Sequence, residues 1–142
     1  RRDLAYFADL IRFFDLQDQV YINVYSGQEM VELYSLAQVC IYPSTASEPF
    51  GLTMLEALSS GKPMIVTEMG GMPEIIMNDV TGYVIKLKDF EALASRIEYL
   101  LGNERVRRRL GSTGRKMVTV HYTKEIMTKC HLEVYEEVLK GS

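Results

Sequence analysis

Apolar positions along this chain alternate between two rhythms, one of helical and one of strand spacing. Leu4, Phe7, Ala8, Ile11 and Phe14 fall on one helical stripe and predict a first helix. Residues 20–25, from Val20 to Tyr25, then read as a strand. Ser26-Gly27-Gln28-Glu29 has the form of a capping box, and Met30, Leu33, Tyr34 and Ala37 continue behind it as a helical stripe. Val39-Cys40-Ile41-Tyr42 is short and wholly apolar, the pattern of a parallel strand buried on both faces.

The second half repeats the alternation. A helix is expected over residues 53–60, closed by Gly61 and Pro63. Met64-Ile65-Val66 is the next buried strand, Gly70-Gly71 a turn, and residues 73–77 a short helix. Tyr83-Val84-Ile85 follows Gly82 as a further strand. Asp89, Asn103 and Thr123 are each expected to cap a helix. The last of these carries Met127, Cys130, Val134 and Val138 on one face. Strands alternating with helices mean an α/β fold with a parallel sheet, residues 1–142 forming a single domain. In such folds ligands bind beyond the carboxyl ends of the strands, here the loops after Tyr42 and Val66.

Composition narrows the classes. Apolar residues are 47% and charged residues 25%, ordinary for a folded globular domain and unlike a disordered one. The net charge of -3 gives no reason to expect nucleic-acid binding. No apolar run approaches a membrane span. Cys40 and Cys130 lack metal-ligand spacing, Cys40 reads as a buried thiol, and a cytoplasmic location is the expectation. His121 and His131 have no partners at metal spacing, so no metal site is expected.

The richest chemistry follows the strand that ends at Tyr42. Glu48 sits in a loop, Glu56 about one turn into the next helix, and the helix N-terminus lies between them. Free N–H groups and the partial positive charge of that terminus suit a diphosphate, and Gly51 leaves its backbone open to approach. A carboxylate at each end can accept hydrogen bonds from a pair of vicinal hydroxyls. A nucleotide sugar has a ribose diol at one end and a hexose at the other.

Glu48 and Glu56 with seven residues between them match the E-x7-E motif of the retaining glycosyltransferases of family 4, also called group 1. Glu-Pro-Phe-Gly-Leu-Thr-Met-Leu-Glu-Ala at 48–57, Ser60-Gly61-Lys62-Pro63, Gly70-Gly71-Met72-Pro73-Glu74 and Thr81-Gly82-Tyr83 extend the match in order. The chain resembles that family from about Leu16 to Leu139. The resemblance implies a GT-B architecture of two Rossmann-like domains facing a cleft, this chain being the C-terminal, donor-binding one. It implies transfer of a hexosyl group from a UDP-, GDP- or ADP-sugar with retention of configuration, and no metal or other cofactor for the chemistry. Glu48 would lie near the reacting carbon as the catalytic residue. Phe50, Gly51, Leu52 and Thr53 would face hexose and diphosphate, Glu56 would hold the ribose, and the Ser26-Gly27 loop would read the base. Gly70 and Gly71 serve either as donor contacts or as a plain turn.

Two departures from the family stand out. Val24 occupies a position that is often Gly, and the first two strands, with an Arg and a Lys that neutralise the diphosphate, would precede Arg1. The expectation is therefore a partial domain that lacks the acceptor-binding N-terminal domain. It would be a fragment, a chain whose sheet a partner chain or a dimer completes, or a rearranged sheet, and the isolated chain would bind donor weakly and transfer no sugar. Other readings compete. Glu48 and Glu56 are ordinary surface carboxylates if the flanking blocks are set aside. The run Arg105, Arg107, Arg108, Arg109, Arg115 and Lys116 reads as a solvated helix face, its rival being peripheral contact with anionic lipid. Tyr6, Phe7, Phe13, Phe14 and Tyr135 read as core or interdomain surface. The alternatives to transfer are a non-catalytic nucleotide-sugar-binding module, or an epimerase or hydrolase of similar fold.

Overall fold

A computed structural model describes residues 2–46 and 51–141 of the chain, with the side chains of Arg2 and Asp3 left aside. The elements run α1 (Arg2–Phe13), α2 (Gln28–Leu36), β1 (Cys40–Tyr42), α3 (Leu52–Ser59), β2 (Met64–Thr67), α4 (Met72–Ile75), β3 (Gly82–Ile85), α5 (Phe90–Gly102), α6 (Glu104–His121) and α7 (Lys124–Lys140). Three strands form one parallel sheet in the order β1-β2-β3. The expected α/β class and parallel sheet are therefore found. No helix among the described residues is long and apolar enough to cross a membrane.

β2 is the axis of the core. All four of its residues are buried, because helices cover both faces of the sheet. Met64 and Val66 point to one side with Met54, Leu58, Met72 and Ile75 of α3 and α4, while Ile65 points to the other with Leu100 of α5 and Leu110 of α6. This is the wholly apolar strand of a doubly covered parallel sheet. α6 sits close to the turn that leads into β2, and Gly111 makes that approach. A Cβ at 111 would overlap the Gly61 carbonyl.

Helix starts follow the capping chemistry in part. Asp89 accepts from Ala92 N–H at 2.9 Å and Thr123 from Ile126 N–H at 3.3 Å, as expected. Asn103 makes no side-chain cap; its amide donates instead to the Tyr99 carbonyl at 2.7 Å, closing the preceding helix. At α2 half of the capping box forms, Ser26 N–H donating to Glu29 Oε2 at 3.3 Å, while the cap residue is Gly27.

Two sequence expectations fail for one reason. Residues 20–25 carry no strand: a strand exists only through a neighbour's hydrogen bonds, and β1 spends one edge on β2 and offers the other to nothing described. β1 itself is an edge strand, with Ile41 40% exposed rather than buried on both faces, and Cys40 is only partly buried. Of the two readings of Tyr6, Phe7, Phe13, Phe14 and Tyr135, core or interdomain surface, their exposure sets aside the first. On the apolar stripes of α1 and α7, Leu4, Phe7, Phe14, Met127, Val134 and Val138 are exposed.

Candidate functional site

The strand-to-helix connections of a parallel sheet leave at one edge. Residues 43–46 follow β1 and residues 68–71 follow β2, and the Thr67 hydroxyl ties the two loops by donating to the Ser44 carbonyl at 2.6 Å. α3 starts at this edge. Its cap residue, Gly51, is buried in the left-handed region (φ 71°, ψ 72°), and no side chain among the described residues caps the helix. No acidic residue stands in its first turn, so the N–H groups of Leu52 and Thr53 meet no carboxylate of their own helix. The Leu52 and Thr53 side chains are exposed.

Glu56 follows Thr53 by three residues and so projects from the same face of α3. Its carboxylate meets α2. The Tyr34 hydroxyl lies 3.2 Å from Glu56 Oε2 and 3.5 Å from the Thr53 carbonyl oxygen, donating toward both. Burial pushes the Tyr34 phenol up to about 12, and the negative charge and hydrogen bond of Glu56 add to it. The phenol is thus a fixed donor. No ion pair engages Glu56 among the described residues.

The two segments that sequence assigned to base and ribose face each other. Gly27, Met30, Val31 and Tyr34 of the α2 side and Glu56, Ser59 and Ser60 of the α3 side enclose a groove of about 220 Å³. Gly27 adopts φ 52°, ψ -120°, a conformation open to glycine alone without strain, and a Cβ there would meet empty space. Its demand is therefore on the backbone, which turns at the mouth of the groove. Ser26 is exposed beside it and uses its N–H on Glu29.

Gly70 and Gly71 lie at the same sheet edge, Gly70 at φ 53° and Gly71 capping α4, but outside this groove. Glu48 and Phe50 lie outside the described residues. Lys62 precedes β2 and so stands at the opposite edge from Gly51; its Nζ donates to the Ser35 carbonyl in the last turn of α2 at 2.8 Å. No group of three or more His, Cys, Asp or Glu that could hold a metal occurs among the described residues.

A larger cavity, about 380 Å³, is elsewhere: Leu52 and Leu55 of α3 face the turn into α7, with Met127 and Cys130. It is almost wholly apolar, and His131 Nδ1 is already 2.8 Å from the Met127 carbonyl oxygen of its own helix. Such a surface suits side chains, not a diphosphate or a sugar. Sequence reasoning missed Tyr34, which it read only as one position of an apolar stripe. The available signal was its identity: a tyrosine at a stripe position needs a partner for its hydroxyl.

Comparison with known proteins identifies the family and the fold. The sequence profile described as "Glycosyl transferases group 1" matches residues 2–117. The sulfoquinovosyl transferase SQD2 of Arabidopsis thaliana is 30% identical over 140 residues, covering 96% of this chain and 27% of its own length. Among solved structures, the sucrose-phosphate synthase of Thermosynechococcus elongatus superposes with a TM-score of 0.89 at 29% identity, over 99% of this chain and 35% of that one. Anabaena Alr3699/HepE, solved in complex with UDP, shares the fold with a TM-score of 0.89 at 19% identity, over 94% of this chain and 36% of that one. The chain thus spans about a third of the length of these three proteins.

Proposed function

This chain belongs to the group 1 glycosyltransferases, and on that premise we propose that it holds the nucleotide-sugar donor of a hexosyl transfer proceeding with retention of configuration. The observation that carries the reading is the groove in which Gly27, at the start of α2, faces Glu56, one turn into α3. A nucleoside fits that arrangement with its base against the Ser26-Gly27 backbone and its ribose diol on the Glu56 carboxylate. The diphosphate then reaches toward the start of α3, where Gly51 leaves the Leu52 and Thr53 N–H groups approachable. Phe50 and Glu48 come next in the chain, and the family motif assigns them to the hexose. Gly70 and Gly71, at the same sheet edge, are the further backbone candidates for sugar or phosphate.

In the reaction the bond between the anomeric carbon and the β-phosphate oxygen breaks and a bond to an acceptor oxygen forms. The nucleoside diphosphate leaves, and the acceptor proton passes to the phosphate or to a base outside these residues. Glu48 supports the cationic sugar carbon electrostatically. We assign no metal to the chemistry and place the protein in the cytoplasm. The acceptor is bound by a second domain, and these residues on their own bind donor weakly and transfer no sugar. Alr3699/HepE, whose fold this chain shares, was solved with UDP and with UDP-glucose, which supports a nucleotide sugar as ligand here.

The test is a thermal-shift screen of the intact protein against UDP, GDP, ADP and their glucose conjugates. A ligand at 100 times its Kd stabilises by about 2.7 kcal/mol, a clear rise in Tm. One base should stand out from the other two. No shift with any of them at millimolar concentration would overturn the reading.

A further inference from the structure

We propose that Tyr34 is the positioning residue of the nucleotide site: its hydroxyl anchors one oxygen of Glu56 so that the other faces the ribose diol. This rests on the donor-site reading above and adds to it a residue from a different helix, 22 positions away in sequence. A glutamate on an exposed helix face samples several rotamers and loses them when it binds. Tyr34 removes part of that loss in advance. Its ring is packed against the buried cluster around Met54 and Leu58, so the hydroxyl is held in place by the core. From there it reaches Glu56 Oε2 at 3.2 Å. A carboxylate has about four acceptor positions. One on Oε2 goes to Tyr34, and Oε1 with the remaining positions is left for two vicinal hydroxyls. Burial and the neighbouring carboxylate keep the phenol protonated well above physiological pH, so it acts as a donor throughout.

A merely structural staple between α2 and α3 has the same contact and makes a different prediction. α2 has no buried residue, so loosening it would move the Gly27 backbone and weaken every nucleotide alike. A positioning role acts only through the diol. The discriminating experiment measures the affinity of the intact protein and of Tyr34→Phe for UDP (or GDP or ADP, whichever the screen selects) and for its 2′,3′-dideoxy analogue. Tyr34→Phe should weaken the ribonucleotide about three- to tenfold. The dideoxy analogue, which has no diol to grip, should bind wild type and variant equally. Equal losses on both ligands, or no loss on either, would overturn the proposal.

Two controls separate the failures. Glu56→Gln run beside it should also lose affinity for the ribonucleotide. If it does not, the ribose reading has failed and the role of Tyr34 with it. If it does while Tyr34→Phe does not, only the present inference falls. Should Tyr34→Phe fold poorly, a fluorinated tyrosine at 34 keeps ring and shape while lowering the phenol pKa. Ribonucleotide binding should then fall with rising pH where the wild type is flat, and a flat profile for both would overturn the proposal.

Discussion

Replacing Glu56 by Gln removes one charge and almost no volume, and the structure sets what happens next. The Tyr34 hydroxyl can satisfy itself on the amide oxygen as it does on Oε2, at 3.2 Å in the wild type. Doing so turns the NH2 group toward the diol, where the wild type presents an acceptor. Each hydroxyl then loses a charge-assisted acceptor. Hydrogen bonds to a charged group contribute about 1.5–3 kcal/mol and neutral ones about 0.5–1.5, so two hydroxyls lose about 2–3 kcal/mol. Glu56 is exposed, and water returns part of this, leaving a loss of about 1.4–2 kcal/mol, or about ten- to thirtyfold in Kd. Calorimetry of the intact protein with the nucleoside diphosphate it prefers reads this directly. Combined with Tyr34→Phe, the amide is free to turn its oxygen back to the diol, so Glu56→Gln should cost less in that background. The cycle should show coupling of about 0.5–1 kcal/mol. Unchanged affinity for the single variant would refute the ribose role, and an additive cycle would refute the argument about amide orientation.

Glu48→Gln should leave nucleoside-diphosphate affinity nearly unchanged while lowering transfer, since its proposed partner is the hexose; lost nucleotide binding with transfer intact at saturating donor would reverse the two glutamate roles. Transfer by the intact protein should survive EDTA, and activity restored only by Mg²⁺ or Mn²⁺ would contradict the metal-free chemistry. Gly111→Ala drives a methyl group into the Gly61 carbonyl and should destabilise by about 2–3 kcal/mol, read as a lower urea midpoint. An unchanged midpoint would mean that α6 slides away without cost. Folding raises the Tyr34 pKa from about 10 to about 12, so its contribution to stability is complete below pH 10 and is lost as pH rises toward 12. The stability gap between wild type and Tyr34→Phe should therefore narrow over that window, and a constant gap in urea unfolding would count against the shift.

Much of this molecule was legible before any coordinates. β2 and β3 lie where short apolar runs placed them, since a strand buried on both faces needs no polar alternation. Asp89 and Thr123 start helices because a side-chain oxygen within three residues of an orphan N–H is a local fact that sequence records in full. The spacing of Glu56 after Gly51 is equally local: one helix carries both, so their offset along α3 follows from its pitch.

Other features depended on elements far apart in sequence. Residues 20–25 have strand composition and no strand, because pairing needs a neighbour and composition supplies none. The stripes of α1 and α7 predict a covered face, and what covers a face is a matter of packing. Tyr34 fitted its stripe so well that the stripe concealed its hydroxyl, whose partner sits on another helix. Periodicity states which side of an element is apolar, and capping chemistry states where the element begins. Which two sides meet, and so whether Gly27 and Glu56 share a groove, is decided only when the sheet brings α2 and α3 together over β1 and β2.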